Sequence, residues 1–484
     1  KSACGMAEVP GPSSDLELVT ETPAGVSEMY SKHGEAYGFN MMVGMTQMSN
    51  QGYLTTFICE EDGETVWFNN PFSLWATPGW VKGTLADGVV TVEFPQLVKL
   101  DDYGRDEYND YALLVEYRED EEGGWFYPSE TQTYRFNLLD DGTLEVQNPD
   151  VMVGLCNWLY NQEAEEYQWT WFMIGDINTS FTPFKKETVE VPEGVKWDAT
   201  NMISDDLASP CSIAFNGDDV YLKGFVNIEG VEDGVIKGKR SDNKISFPSD
   251  QYLGISADMP AAISFYACDV EVVGSSVTAL NAKDEVVYDY DSASGRLTSD
   301  TDIDIATSTD INAYRRIFLH PSFAPYRPEV KINHLRTPSI LGFQEWDPIK
   351  GRLGLIFFTI YNTDEALNVL NDSDIFWNLI IDDEPMTFYT DEYPSLEEDT
   401  TDIPFAYTSP DGMMMYMEGI QIASFMTLGY TSIGVRQGYR QDGEVVYSPV
   451  GWVPGFESSS VNAMTSEETI VSTKWFDLQG RLLS

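Results

Sequence analysis

The chain has 484 residues, with 28 Lys plus Arg against 79 Asp plus Glu, a formal charge of −51. Nucleic-acid binding needs cationic side chains that displace counterions from phosphate, so this balance argues against DNA or RNA as a partner. The same sign disfavours anionic lipid headgroups. A 42% apolar fraction with 13% aromatics is enough to build packed cores, so the acidity does not signal disorder.

The first residues, KSACGM, contain no apolar leader and read as a mature or trimmed form. The five cysteines, Cys4, Cys59, Cys156, Cys211 and Cys268, form no CxxC or Cys/His cluster. Cys59, Cys156 and Cys268 lie in apolar runs and read as buried small hydrophobes. A lipid anchor at Cys4 is disfavoured, because Lys1 stands where a lipobox has Leu. No apolar run approaches the ~18 residues of a membrane-spanning helix. The strongest, Leu353 to Ile360, has the length of a strand.

Internal repetition is the clearest organising signal. Val66-Trp67-Phe68, Trp80-Val81-Lys82-Gly83 and Phe94-Pro95 follow one another in the order of Val220-Tyr221-Leu222, Val235-Ile236-Lys237-Gly238 and Phe247-Pro248. Pro23-Ala24-Gly25-Val26 and Pro192-Glu193-Gly194-Val195 open the two blocks. Asp141-Gly142-Thr143-Leu144 and Ser294-Gly295-Arg296-Leu297 follow later. Each block closes on Phe-x-Pro-aromatic, at Phe181 to Phe184 and at Phe323 to Tyr326. We therefore read an N-terminal segment (1–14) and two homologous modules, 15–184 and 185–326. The first is longer, mainly between Val26 and Val66 and around Asn161 to Tyr167.

Within the modules the apolar period is two. Val90, Val92 and Phe94 alternate with Val89, Thr91 and Glu93, and Tyr134, Phe136 and Leu138 share a face. This pattern predicts half-buried strands. Pairs such as Asp87-Gly88 and Asp141-Gly142 supply the positive φ angles of tight hairpins. The fold class expected is all-β, with each module an antiparallel barrel or a two-sheet sandwich; the pattern does not choose between them.

A third module spans 327–455. Candidate strands are Leu353–Ile360, Phe376–Ile381, Met386–Tyr389, Met413–Glu418 and Ser432–Tyr439. The stretch from Ile433 to Tyr439 runs through Gln441-Asp442-Gly443-Glu444 to Tyr447, and it resembles the F strand, F–G turn and G strand of a fibronectin type III domain. Asn378 to Pro385 resembles that family's C strand and turn. The resemblance implies an immunoglobulin-like sandwich. A Ser/Thr/Glu-rich linker (456–473) leads to the tail 474–484, where Trp475-Phe476-Asp477-Leu478-Gln479-Gly480-Arg481 resembles the sorting domains of type IX secretion in Bacteroidetes-type bacteria. The tandem modules are similar to those of multi-domain proteins from the same bacteria. These resemblances imply a secreted or cell-surface location.

The three histidines, His33, His320 and His334, lie in no metal-binding or catalytic spacing, and there is no nucleophile elbow, phosphate loop or dinucleotide fingerprint. Asp300, Asp302 and Asp304 share one strand face and are candidate Ca²⁺ ligands, against the plainer reading of a solvated acidic face. Phe72, Trp75 and Trp80 surround a Pro-Gly turn and are candidate sugar-stacking aromatics. The plainer reading makes the tryptophans core plugs. The functional expectation is a binding or scaffold protein whose ligand is a carbohydrate or another surface protein. One alternative is a polysaccharide-acting enzyme with an acidic pair in module one or two. A purely structural spacer is the other.

Overall fold

The computed structural model describes residues 16–40, 44–49, 53–69, 77–104, 109–120, 123–161, 166–257, 260–273, 276–308, 311, 316–417, 419–458, 475–476 and 482–483. The described chain is antiparallel β structure almost throughout.

Module one holds β1 (Val26–Asn40), β2 (Gly44–Ser49), β3 (Leu54–Cys59), β4 (Thr65–Asn69), β5 (Val81–Ala86), β6 (Val89–Glu93), β7 (Gln96–Lys99), β8 (Asp110–Asp120), β9 (Gly123–Pro128), β10 (Thr133–Leu138), β11 (Leu144–Val146), β12 (Met152–Asn161) and β13 (Glu166–Pro183). The order β1-β3-β4-β5-β6-β10-β11-β13 closes on itself through β1–β13 pairing, making an eight-stranded barrel. Strands β7, β8, β9 and β12 form a side sheet, and the first half of β13 completes it.

Module two repeats the plan with β14 (Trp197–Ser204), β15 (Leu207–Asn216), β16 (Asp219–Lys223), β17 (Val235–Ser241), β18 (Lys244–Pro248), β19 (Gln251–Ile255), β20 (Ala262–Val273), β21 (Ser276–Lys283), β22 (Glu285–Asp291), β23 (Arg296–Thr298), β24 (Asp302–Thr307), β25 (Arg316–Phe318) and β26 (Ser322–Ala324). Its barrel is β14-β15-β16-β17-β18-β22-β23-β26, and its side sheet is β19-β20-β24-β25 with β21. The extra length of module one lies in β2 and in the long β12–β13 hairpin.

Barrel and sheet answer the question the sequence left open, because each module contains both. Closure also removes strand edges, which would otherwise invite pairing between chains. The repeat extends to side chains. Gln96 accepts from Lys82 N and donates to the carbonyls of Lys82 and Glu93, and Gln251 does the same with Lys237 and Pro248. A single offset of 155 therefore governs this region. It corrects the expected match of Phe94-Pro95 with Phe247-Pro248: Phe94 N bonds Gln132 O, as Ser249 N bonds Asp284 O, so the partner of Phe94 is Ser249.

The acidic residues of the turns have local work. Asp87 and Gly88 have φ of 53° and 74°, as a tight two-residue turn requires. Asp62 accepts from the backbone N–H of Glu64 and Thr65, which holds its carboxyl below the usual range.

The third module is two facing sheets. One contains β27 (Ser339–Gln344), β28 (Gly354–Thr359), β32 (Met414–Met417) and β33 (Ile420–Phe425). The other contains β29 (Ile375–Ile381), β30 (Glu384–Pro385), β31 (Ile403–Pro404), β34 (Ile433–Gln441), β35 (Glu444–Tyr447) and β36 (Gly451–Trp452). Trp377, Phe358 and Phe388 pack edge to face between them. Met386–Tyr389, expected as a strand, contributes only an isolated bridge between Phe388 and Thr400. In the tail, β37 (Trp475–Phe476) pairs with β38 (Leu482–Leu483); Asp477 to Arg481, which carry the sorting-domain resemblance, lie outside the described residues.

Both junctions are packed. Tyr53 of module one is buried in the core cluster of barrel two and bridges to Ala261, while Phe184 meets Tyr252 edge to face at 5.1 Å. Between barrel two and the third module, Ala208 N donates to Asn362 Oδ1 at 2.7 Å and Asn362 Nδ2 donates to Ala208 O at 2.8 Å. Arg336 pairs with Asp206 at 2.8 Å, and Ile203, Ala208, Ala324 and Val369 form an apolar patch beside them.

Candidate functional site

Of the residues singled out in the sequence, Trp80, Asp300, Asp302 and Asp304 are described. Phe72 and Trp75 lie outside the described residues. Trp80 is 5% exposed and its backbone N–H donates to Val19 O, so its ring is buried rather than presented as a surface platform. Asp300 is exposed, Asp302 accepts from His320 N at 2.9 Å, and Asp304 is fully buried on β24, opposite Tyr266 of β20. Among the described residues no three His, Cys, Asp or Glu side chains gather as a metal site. Cys59, Cys156, Cys211 and Cys268 are free thiols, the last three buried. Burial pushes the thiols of Cys211 and Cys268 up to about 12. Cys4 lies outside the described residues.

A different set of residues meets inside barrel one. Strand alternation sends Tyr30 and Lys32 of β1 to the same side, and Ile174 and Asp176 of β13 likewise. Tyr30 and Ile174 belong to the apolar core, so the lysine and the aspartate are carried inward with them. Lys32 is 0% exposed and Asp176 is 1% exposed. Burial lowers the Lys32 amine to about 8, outweighing the attraction of the Asp176 carboxylate that acts in the other direction. Tyr134 of β10, 1% exposed, is shifted well upward by burial and by the negative charge of Asp176.

Asp176, Tyr134 and Thr179 line a cavity whose other walls include Phe68, Phe136 and Phe181. It leaves about 30 Å³ for the centres of water-sized molecules. That is enough for one or two waters, each of which needs roughly 10–15 Å³ on this measure. The hydroxyls of Tyr134 and Thr179 have no hydrogen-bond partner among the described residues.

Barrel two shows what this interior looks like without those groups. Lys32 pairs with Phe181 across β1–β13, and the matching strands pair Met202 with Phe323. Asp176 pairs with Val153, and the matching pair is Phe318 with Ile303. Tyr134 faces Val92, and Val286 faces Phe247. Lysine, aspartate and tyrosine in barrel one thus become methionine, phenylalanine and valine in barrel two, all packed in or against its core. Phe265 also stands where barrel one has Ala112. Barrel two also buries hydroxyls without a hydrogen-bond partner among the described residues, at Thr200, Ser204 and Tyr288, and burial alone shifts Tyr288.

The sequence reading missed this set. The signal was present: Lys32 falls in phase with Tyr30, and Asp176 in phase with Ile174. Finding it requires the module alignment through β13, which carries a different offset from the 155 of the central strands.

The fold and this interior define a protein of tandem antiparallel barrels, one of which carries a lysine and an aspartate into its core where the other has methionine and phenylalanine. Comparison of the chain with protein-family models, with curated proteins and with solved structures finds no match. No helix among the described residues is long and apolar enough to cross a membrane.

Proposed function

We propose that this protein is an exported binding protein in which barrel one is the ligand-binding element and barrel two and the third module are a stiff support. The observation that carries the reading is the exchange of Lys32, Asp176 and Tyr134 for Met202, Phe318 and Val286 between two modules of matching strand order. A buried ion pair replaced by apolar residues of similar size is often neutral or stabilising, so stability alone gives barrel one no reason to keep charges. Eight-stranded barrels have interiors that either fill with side chains or hold one small ligand. The two packed junctions support a fixed arrangement of the modules, as a scaffold needs. The tail and tandem-module resemblances support a secreted or cell-surface setting, where a carbohydrate or a partner protein would be further ligands.

The test is native mass spectrometry of the intact chain after exposure to a small-molecule library. The comparison is between the wild type and the Lys32→Met/Asp176→Leu double variant. Species retained by the wild type and absent from the variant support the reading; identical profiles overturn it.

One observation favours the enzyme reading. A surface groove at the β-bulge between His33 and Glu35 is lined by Glu35 and Glu145, an acidic pair on one concave face. Polysaccharide cleavage lost in both Glu35→Gln and Glu145→Gln would establish it; cleavage unaffected by both would end it.

A further inference from the structure

We infer that the junction of barrel two with the third module is a binding site for a small organic monocarboxylate, held by the guanidiniums of Arg296 and Arg327. It lies apart from barrel one and gives a ligand role to a junction that otherwise serves as support.

A cavity at this junction leaves about 330 Å³ for the centres of water-sized molecules, against about 30 Å³ inside barrel one. Space of this order admits a small organic molecule and not merely isolated waters. Asp291, Ser294 and Arg296 come from the β22–β23 hairpin, Arg327 from the connecting chain, and Ala366 and Asn368 from a loop of the third module. The aliphatic side chains of Ala324, Pro325 and Val330 line part of the remainder and suit an apolar body.

The walls are fixed before any ligand arrives, which lowers the ordering cost of binding. Asp364 Oδ1 accepts from the backbone N–H of Ala366 at 2.9 Å and of Asn368 at 2.8 Å, so the loop is braced from within. Arg296 donates to Ala366 O at 3.1 Å and to Leu367 O at 2.8 Å. Those acceptors are carbonyls, so they orient the guanidinium without cancelling its charge. Arg327 donates its Nε to Glu329 Oε1 at 2.8 Å, which leaves the donors of its two terminal amino groups for a ligand. Water serves such donors too, so the selection of the ligand rests on charge.

The chain has 79 acidic residues against 28 basic ones, and two other concave sites follow that balance, with Asp176 in barrel one and Glu35 and Glu145 at the β-bulge. The junction reverses it, with two arginines against Asp291. Asp291 is committed to its own turn, accepting from Ala293 N at 3.0 Å and from Ser294 Oγ at 2.6 Å. Glu329 is 61% exposed, so solvent screens its charge, and more distant acids are screened beyond about 8 Å. The wall therefore presents one net positive charge, which matches a monoanion. A planar carboxylate fits the fork of a guanidinium, an amine meets two cations, and a neutral molecule forgoes the attraction.

Barrel one builds the same corner without these groups. Leu144 pairs with Phe181 as Leu297 pairs with Phe323, and Gly142 and Gly295 lie against Pro183 and Pro325. By that register Thr143 stands at the place of Arg296 and Lys185 at the place of Arg327. The corner thus folds with no guanidinium at all, so the turn itself does not require the two arginines.

The experiment is a ligand-observed NMR titration of the full chain with benzoate, benzyl alcohol, benzylamine and phenyl phosphate, the last a dianion. Benzoate should bind roughly tenfold more tightly than the alcohol or the amine, the effect of a charge-assisted hydrogen bond. Arg327→Gln should weaken benzoate by a similar factor, and Arg327→Lys, which keeps the charge without the fork, by less. Arg327 and Glu329 form a solvent-exposed pair, so both variants should keep the fold, with circular dichroism unchanged. If the alcohol or the amine binds as tightly as benzoate, or phenyl phosphate binds more tightly, the ligand class is overturned. If benzoate does not bind, or binds the wild type and Arg327→Gln equally, the site itself is overturned.

Discussion

Replacing Lys32 by Met leaves the Asp176 carboxylate in barrel one, 1% exposed, without the buried cation whose charge it acts on. Removing one member of a buried pair typically costs about 3–5 kcal/mol, because the other charge stays buried and uncompensated. Asp176→Leu should cost a similar amount, through a stranded ammonium. The double variant Lys32→Met/Asp176→Leu removes both charges and brings the site close to the composition of barrel two, which has Met202 and Phe318 at the same places. It should fall within about 1 kcal/mol of wild type or exceed it, so the coupling between the two positions should be at least about 3 kcal/mol. Hydrogen-exchange mass spectrometry of peptides covering β1 and β13 reads the stability of this barrel separately from the other modules. If the double variant loses the sum of the single losses, the two residues do not act as a pair and the account of the interior is wrong.

The same pair gives a pH dependence of definite sign. The folded Lys32 amine titrates at about 8, against 10.5 in the unfolded chain, so between these values the unfolded state holds more protons. Its destabilising contribution is complete below pH 8 and fades above it, and the wild type should gain about 2 kcal/mol on the double variant between pH 8 and 10. Loss instead of gain in that window would refute the assignment. Trp80→Ala should destabilise module one by about 3–5 kcal/mol, as for other buried aromatics, and leave any glycan binding in proportion to the folded fraction. A glycan array showing selective loss in well-folded Trp80→Ala protein would restore the surface role. Asn362→Ala strips partners from the N–H and C=O of buried Ala208, each costing about 1–3 kcal/mol. Small-angle scattering should then show a broader range of angles between barrel two and the third module; an unchanged profile would mean that the remaining contacts suffice.

Much of the architecture was legible because it depends on local pattern. Alternation of Val90 and Val92 against Val89 and Thr91 gives a strand whatever surrounds it, and Asp87-Gly88 turns the chain for reasons internal to two residues. The segment from Ile433 to Tyr447 was read with a turn at Asp442-Gly443, and β34 and β35 pair around that turn. Elements that owe their existence to partners were harder. Ile420–Phe425 was not read as a strand, yet it is the central one that joins β28 to β32. Phe94-Pro95 and Phe247-Pro248 look alike, yet the ladder places them two positions apart in register, because hydrogen bonding and not residue type sets the match.

The candidate site divides the same way. Composition and spacing drew attention to Trp80 and to Asp302 and Asp304, and the structure buries all three. Exposure is a property of what packs on a residue, and a one-dimensional pattern does not carry it. Lys32, Asp176 and Tyr134 lie more than forty residues from one another along the chain, on three strands that meet only because the barrel closes.

The amino-acid sequence alone was thus sufficient for the all-β class and for the acidic, turn-rich composition, since both are written in short-range periodicity and residue counts. Barrel closure, the stacking of a side sheet on each barrel and the meeting of a lysine with a carboxylate inside only one of them belong to the tertiary structure. They follow from strand register and from the cost of burying polar groups, and both are settled only when distant strands pair.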